Sequence, residues 1–216
     1  MVILGLTGSI GMGKSTAAAM LRRLGVPVHD ADRTVHGLLA RGGAAVPAVA
    51  AAFGAGVVVA GAVDRRRVGA LVFRDPAALA RLEAILHPLV RRAERRFLAG
   101  CAGRRVPVVA LDVPLLFETG GTGRVDATIV VTAPAFIQRL RVLARPGMTA
   151  AKLYGILERQ LPDAVKRRLA DHVVMTGLGK GHALRRLAAI VRMAGRLTGR
   201  HWPAPGLRPA TRGRHA

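Results

Sequence analysis

Cysteine, aromatic residues and lysine are scarce in this chain, and each shortage argues against a class of protein. The single cysteine, Cys101, cannot form an internal disulfide, so a disulfide-stapled secreted fold is excluded and a reducing cytoplasm is expected. Five Phe, one Tyr and one Trp leave few rings that would stack on nucleic-acid bases. No apolar run approaches the roughly 20 residues of a membrane-spanning helix. The N-terminal run MVILGLTG has no basic segment before it, so we expect neither a membrane partner nor a signal peptide.

Acidic residues are also few, since 34 Lys and Arg stand against 12 Asp and Glu and give a formal net charge of +22. Only four of the basic residues are lysines, at positions 14, 152, 166 and 180. This charge suits a nucleic-acid partner, but the shortage of aromatic rings favours an arginine-rich solvated surface around an anion-handling site. No acid follows Asp171, and segment 201–216 lacks periodicity, so we expect a loose basic tail there.

Five short apolar runs predict the strands of a parallel sheet. They cover residues 2–8, 26–32, 106–113, 126–133 and 172–177. Each is largely apolar rather than alternating, as expected for strands that are covered on both faces. Helical patterns separate the runs, beginning at Lys14, Pro76, Pro88, Ala150 and Gly181. The alternation predicts an α/β fold with a five-stranded parallel sheet flanked by helices.

The second and third predicted strands are separated by about seventy residues with only helical patterns, far more than one crossover requires. A helical insertion of this size beside a parallel sheet is a place where a second substrate would be held.

The segment GLTGSIGMGKST (5–16) contains the phosphate-binding pattern G-x-x-x-x-G-K-[ST]. Its glycines let successive N–H groups turn toward phosphate oxygens. Lys14 would reach the β- and γ-phosphates of ATP, and the Ser15 hydroxyl would ligate Mg²⁺. The alternative is a glycine-rich turn with a solvent-facing lysine, but a strand before the loop and a helix after it favour a nucleotide site. The predicted nucleotide-binding residues are Gly8, Gly11, Met12, Gly13, Lys14, Ser15 and Thr16.

Two acids occur together, as Asp30 and Asp32, at the end of the second predicted strand. Residues two apart on an extended segment point the same way, so we expect both carboxylates to face the phosphates. One of them would accept a proton from an acceptor hydroxyl. The alternative is that they cap the following helix, with Asp32 as the N-cap.

Several segments together resemble the dephospho-coenzyme A kinase family and occur in the order typical of that family, over about residues 2–180. The loop is shared with many nucleotide-binding proteins, whereas the DAD, HP and PLLFE segments in this order are much more specific. The resembling segments are LTGSIGMGKST, GVPVHDAD, DRRRVGALVF, ILHPLV, DVPLLFETG, QRLRVLAR, Gln160 and ADHVVMTG.

The resemblance implies one P-loop kinase domain over about residues 1–200, with a helical CoA-binding insertion over about 33–104 and a mobile lid over about 138–165. It implies phosphorylation of the ribose 3′-hydroxyl of dephospho-CoA by ATP, the final step of CoA biosynthesis. ATP and Mg²⁺ would be the cofactors, and dephospho-CoA would be the small-molecule partner.

The same resemblance assigns catalytic roles. Asp32 matches the family's proposed base, and Arg141 and Arg145 match its lid arginines, which would act with Lys14. The i, i+4 spacing of the arginines predicts that both lie on one helix face and clamp the migrating phosphoryl group. In an arginine-rich helix the alternative is a solvated face.

Further candidate residues have weaker support. His87 would contact substrate or pack in a helix-breaking turn at Pro88, and Leu115 would form part of a crevice wall. Glu118 would bind near the acceptor or cap a helix. Asp112 ends an apolar strand, where it would hold Mg²⁺ through water. The candidate metal ligands are Ser15, Asp32 and Asp112.

Three positions depart from the family's pattern. Ser9 and Met12 stand where glycine and a small residue are common, and because the loop binds through its backbone N–H groups, outward side chains at these positions would be harmless. Thr176 stands where asparagine is frequent, near the expected adenine pocket.

Two other functions remain open from the sequence. One is another P-loop small-molecule kinase acting on a nucleoside or nucleotide, and the other is a P-loop ATPase associated with nucleic acid. The sequence defines neither the oligomeric state nor a role for Gln160.

Overall fold

The computed structural model describes residues 1–73 and 75–203 of the chain. They form two compact units, Met1–His29 with the chain from Cys101 onward, and Asp30–Gly100. The part of the predicted tail after residue 203 lies outside the described residues. Within those two ranges, no helix combines the length and the apolar character needed to cross a bilayer.

The helices are α1 (Lys14–Arg23), α2 (Ala31–Leu39), α3 (Val46–Phe53), α4 (Arg65–Val72), α5 (Pro76–Gly103), α6 (Ala135–Leu143), α7 (Ala150–Leu157), α8 (Asp163–Leu169) and α9 (Lys180–Ala194). The strands are β1 (Val2–Thr7), β2 (Val28–Asp30), β3 (Val58–Val59), β4 (Ala62–Val63), β5 (Val108–Asp112), β6 (Ala127–Thr132) and β7 (His172–Met175).

The predicted five-stranded parallel sheet is confirmed and lies at the centre of the first unit. Its strand order is β2-β5-β1-β6-β7. In the register of the sheet, Leu6 lies opposite both Asp112 of β5 and Ile129 of β6. Every residue of β1 and β5 is buried, which explains why the sequences of these strands are continuous apolar runs.

One core joins this sheet to helices α1 and α9. Leu6 of β1, Leu21 of α1 and Leu187 of α9 are all fully buried in it. Because α1 packs on the strand that precedes it, the N-terminal end of this helix is fixed at the carboxyl edge of β1. In open α/β sheets this edge is where ligands bind.

The second unit contains a short β-hairpin, so the expectation of a purely helical insertion is wrong. Strands β3 and β4 pair antiparallel, and Ala60 and Gly61 between them both have positive φ, 49° and 77°. Two central residues with positive φ form the turn that matches the twist of a hairpin. The sequence signal is weak because alanine stands where Asn, Asp or Gly is usual. The core of this unit comprises Leu39, Ala45, Val49, Val57, Val63 and Val68.

Helix α5 is continuous, so the predicted start of a separate helix at Pro88 is wrong. Its predicted N-cap is confirmed, because Asp75 Oδ1 accepts hydrogen bonds from the N–H groups of Ala77 (2.8 Å) and Ala78 (3.0 Å). Pro88 has no N–H to offer the carbonyl of Ala84, and both residues are exposed. Water therefore has access to that carbonyl, and the helix continues through the proline.

We expect Pro88→Ala to raise the free energy of unfolding by about 2–3 kcal/mol. An interior helical proline costs about 3 kcal/mol relative to alanine, offset by up to about 1 kcal/mol from the more flexible unfolded chain. Denaturant unfolding measures the change, with the exposed neighbour His87→Ala as control. A Pro88→Ala variant no more stable than the control would contradict this account.

Candidate active site

The loop between β1 and α1 presents backbone amides at the N-terminal end of a helix. Gly13 caps α1 in the left-handed conformation, with φ 89°. The first hydrogen bond of the helix runs from the Ala17 N–H to the Gly13 carbonyl at 3.0 Å. The N–H groups of Lys14, Ser15 and Thr16 precede that bond and point out of the helix end. With the positive end of the helix dipole, they form a site suited to phosphate.

Close packing requires glycine in this loop. Gly11 has φ 76°, and a Cβ there would lie 2.6 Å from Val142 Cγ2 and 3.0 Å from the Gln138 carbonyl oxygen. A Cβ at Gly8 would lie 2.7 Å from the carbonyl oxygen of Val131. Any larger residue would therefore push the loop away from α6 or β6.

The side chains of Ser9 and Met12 are 4% and 3% exposed, so they are buried and do not point outward. Met12 joins the core between the sheet and its helices, and its Sδ accepts the Ala133 N–H at 3.1 Å. The adaptable methionine side chain thus fills space beneath the loop. This departure from the family's pattern supplies a packing contact.

Lys14 and Asp112 form an ion pair at the carboxyl edge of the sheet. The distance from Lys14 Nζ to Asp112 Oδ1 is 2.6 Å, and Asp112 is 3% exposed. A carboxylate this deeply buried needs a cation, and the pair holds the lysine ammonium against the end of β5.

The oxygen donors near the loop fit Mg²⁺. Ser15 is exposed at the start of α1, and Asp112 supplies a carboxylate, with one oxygen bound to Lys14. Hydroxyl and carboxylate oxygens are ligands that Mg²⁺ accepts, with phosphates and water completing its coordination. Asp32, the third predicted ligand, lies in the second unit.

Arg141 contacts the phosphate loop and the segment after β7. Its guanidinium donates to Thr176 Oγ1 at 2.9 Å, to the Thr176 carbonyl at 3.0 Å and to the Gly11 carbonyl at 3.4 Å. Arg145 is exposed and lies beyond the end of α6, so the prediction of one shared helix face is wrong. The helix ends because Pro146 disfavours the helical conformation at Arg145.

Two glutamines that the sequence left without a role bind the tip of the loop. Gln160 Oε1 accepts the N–H of Ile10 at 3.1 Å, and Gln138 Nε2 donates to the carbonyl of Ile10 at 2.8 Å. Both glutamines occur in segments that carry the family resemblance, but their contacts are to backbone atoms. The sequence therefore offers no complementary residue that would have indicated these contacts.

The carboxylate of Glu118 is engaged within the first unit. It pairs with Lys166 at 2.8 Å and accepts the N–H of Leu161 at 2.9 Å, while Lys166 is fully buried. Burial raises the pKa of Glu118. The hydrogen bonds from Lys166 and from the Leu161 N–H, together with the positive charge of Lys166, outweigh that effect, so the pKa lies below its ordinary value. The contacts seen for Glu118 tie the segment after β5 to α8.

In the second unit, Asp30 and not Asp32 is the N-cap of α2. Asp30 Oδ1 accepts the N–H of Arg33 at 2.9 Å. Asp32 lies in the first helical turn and is exposed. The expectation that both acids share one strand face is wrong, because β2 ends at Asp30.

The remaining predicted residues differ in exposure. Leu115, after β5, is 37% exposed, whereas the neighbouring Leu116 is fully buried. His87 lies on the exposed side of α5, so the alternative of a histidine packed in a turn is wrong.

Comparison with known proteins identifies the family. A family model described as dephospho-CoA kinase matches residues 2–178. The chain belongs to the dephospho-CoA kinase family. The resemblance found in the sequence is thereby confirmed.

Individual relatives agree with this family. A dephospho-CoA kinase from Rhodospirillum rubrum is 64% identical over 194 residues, which cover 89% of this chain and 92% of the relative. One from Paramagnetospirillum magneticum is 68% identical over 193 residues, covering 89% and 91%. A crystal structure of a Thermus thermophilus protein is 38% identical and superposes with a TM-score of 0.78, covering 92% of this chain and 98% of that one.

Lys166→Met should lower the free energy of unfolding at neutral pH by about 3–5 kcal/mol, because the Glu118 carboxylate loses its buried cation. The double variant Glu118→Gln/Lys166→Met should recover most of that loss in denaturant unfolding. Arg167→Met, at an exposed position on α8, is the control and should change stability by less than about 0.5 kcal/mol.

The same pair predicts a pH dependence. Since the pKa of Glu118 is lower in the folded than in the unfolded state, its stabilisation is present above the ordinary value of 4.5 and is lost as the pH falls. Wild type should therefore lose stability relative to the double variant below that pH. Parallel curves for the two proteins would contradict a stabilising pair.

Proposed function

We propose that the chain transfers the γ-phosphoryl group of ATP to the ribose 3′-hydroxyl of dephospho-CoA and releases CoA and ADP. One observation supports ATP as the phosphoryl donor. The amides at the start of α1 lie beside the Lys14 ammonium, which is 2.6 Å from Asp112. Membership of the dephospho-CoA kinase family supplies the acceptor.

The loop residues 8–16 bind the triphosphate through their amides, and Lys14 neutralises its β- and γ-phosphates. Ser15 would hold Mg²⁺ directly and Asp112 through water, and the metal would neutralise charge on the phosphate oxygens. The buried Asp112 keeps the ammonium of Lys14 in place before the nucleotide arrives.

Asp32 accepts the proton of the 3′-hydroxyl as the oxygen attacks phosphorus. Two observations support this role. Its carboxylate is exposed, and the cap of α2 is made by Asp30, so Asp32 is not needed for that task.

Arg141 and Arg145 stabilise the transferred phosphoryl group, and a lid within about residues 138–165 excludes water. A guanidinium carries five N–H donors. Among the described residues, Gly11 and Thr176 accept three hydrogen bonds from the Arg141 guanidinium. Two of its N–H donors are then left for phosphate oxygens.

The acceptor is held by the insertion over about residues 33–104, where His87 contacts it, and by Leu115 and Glu118 after β5. For Glu118 this role has to coexist with its bonds to Lys166 and Leu161. We also propose a cytoplasmic location, which suits the free thiol of Cys101.

Incubation of the purified chain with Mg-ATP and dephospho-CoA should give CoA, identified by mass spectrometry. Adenosine, shikimate and pantothenate serve as competing acceptors, and ATP hydrolysis with added DNA tests the nucleic-acid alternative. Lys14→Ala should abolish turnover, because the triphosphate loses its ammonium partner, and EDTA should do so by removing Mg²⁺. Preferred phosphorylation of adenosine would favour a nucleoside kinase instead.

Asp32→Asn should lower kcat by at least about 100-fold with little change in the dissociation constant of ATP, because general-base catalysis contributes 100- to 10,000-fold. Asp30→Asn is the matched control. It removes the same charge two residues away, and asparagine retains the capping oxygen. Similar kcat values for the two variants would eliminate Asp32 as the base.

A further inference from the structure

The tip of the phosphate loop is a tight turn over residues 9–12. The N–H of Met12 donates to the carbonyl of Ser9 at 3.1 Å, and the third residue of the turn, Gly11, has φ 76°. A positive φ at this position is the mark of a type II turn. The bond that closes the turn uses neither polar group of Ile10, so both need partners from elsewhere.

Gln160 and Gln138 provide those partners. Gln160 binds the Ile10 N–H at 3.1 Å and Gln138 binds the Ile10 carbonyl at 2.8 Å. A backbone N–H only donates and a carbonyl only accepts. The two side-chain amides therefore have fixed and opposite roles, Gln160 as acceptor and Gln138 as donor.

The bond from Gln138 also sets the orientation of the next amide. In a trans peptide the carbonyl of one residue and the N–H of the next point in opposite directions. Holding the Ile10 carbonyl toward α6 therefore keeps the N–H of Gly11 on the side away from Gln138. Rotation of this peptide would interconvert type I and type II turns and reverse that N–H.

We infer that Gln138 and Gln160 are positioning residues that hold the loop tip in its phosphate-binding shape before the nucleotide arrives. The inference rests on the proposed role of the loop in binding phosphate. An anion site whose amides are already oriented does not spend binding energy on ordering them. Gln138 is 7% exposed, so water has little access to replace its bond to Ile10.

Two glutamate substitutions separate hydrogen-bond polarity from charge. Gln160→Glu keeps an acceptor for the Ile10 N–H, whereas Gln138→Glu removes the donor and places a carboxylate against the Ile10 carbonyl. Both add one negative charge beside the same residue. ADP binding by calorimetry should be about tenfold weaker or worse for Gln138→Glu than for Gln160→Glu, as expected for a lost hydrogen bond plus repulsion.

Methionine variants of similar length test the bonds themselves. Gln138→Met and Gln160→Met should each weaken ADP binding by about three- to tenfold and raise the KM for ATP. The KM for dephospho-CoA should stay unchanged, which general misfolding would not produce. Melting temperatures verify folding. If a variant at 138 does not fold, the deciding comparison is the ADP affinity of Gln160→Glu, which keeps the acceptor, with that of Gln160→Met, which removes it.

The inference would be overturned if Gln138→Glu and Gln160→Glu weakened ADP binding equally, or if both methionine variants bound ADP with wild-type affinity. Failure of the wild type to form CoA would refute the proposed reaction instead, while the ADP measurements would still test the loop.

Discussion

The candidate active site depends on the direction in which the backbone between β1 and α1 points its carbonyl groups. A loop that binds anions through N–H groups has to find donors for the carbonyls that face the other way. In this chain the carbonyls of residues 10–12 find those donors on other elements, namely Gln138, Arg141 and Thr176. Since α6 carries two of these donors and packs against Gly11, the shape of the loop depends on the position of that helix.

Acidic residues are used sparingly in this basic chain. Helix N-caps use three of them, Asp30, Asp64 and Asp75. Two others balance lysines, as Asp112 does for Lys14 and Glu118 for Lys166. Asp32 takes neither role among the described residues, so its carboxylate is available for proton transfer. The arginines need few such partners, because most of those that the structure describes are exposed.

The parts of the structure that the sequence predicts are those with a local signal. Strands β1, β5 and β6 of the parallel sheet lie in contiguous, largely apolar runs, and the phosphate loop is a contiguous motif between a strand and a helix. Helix α5 was predicted in two pieces because Pro88 is a strong local stop, and only the exposure of Ala84 explains its continuation. The contacts of Gln138 and Gln160 have no local signal at all, since their partner is the backbone of Ile10, more than 120 residues away.

These contacts also constrain any lid motion. Gln138 and Arg141 are separated by one turn of α6 and bind neighbouring carbonyls of the loop. A lid that moved the whole of α6 would break these bonds and release the loop tip at the moment of nucleotide binding. A lid that preserves them has to hinge after Arg141, where α6 ends before Pro146, and again before Gln160. The moving part would then be shorter than the 138–165 segment that the sequence suggests, and it would carry Arg145 but not Arg141.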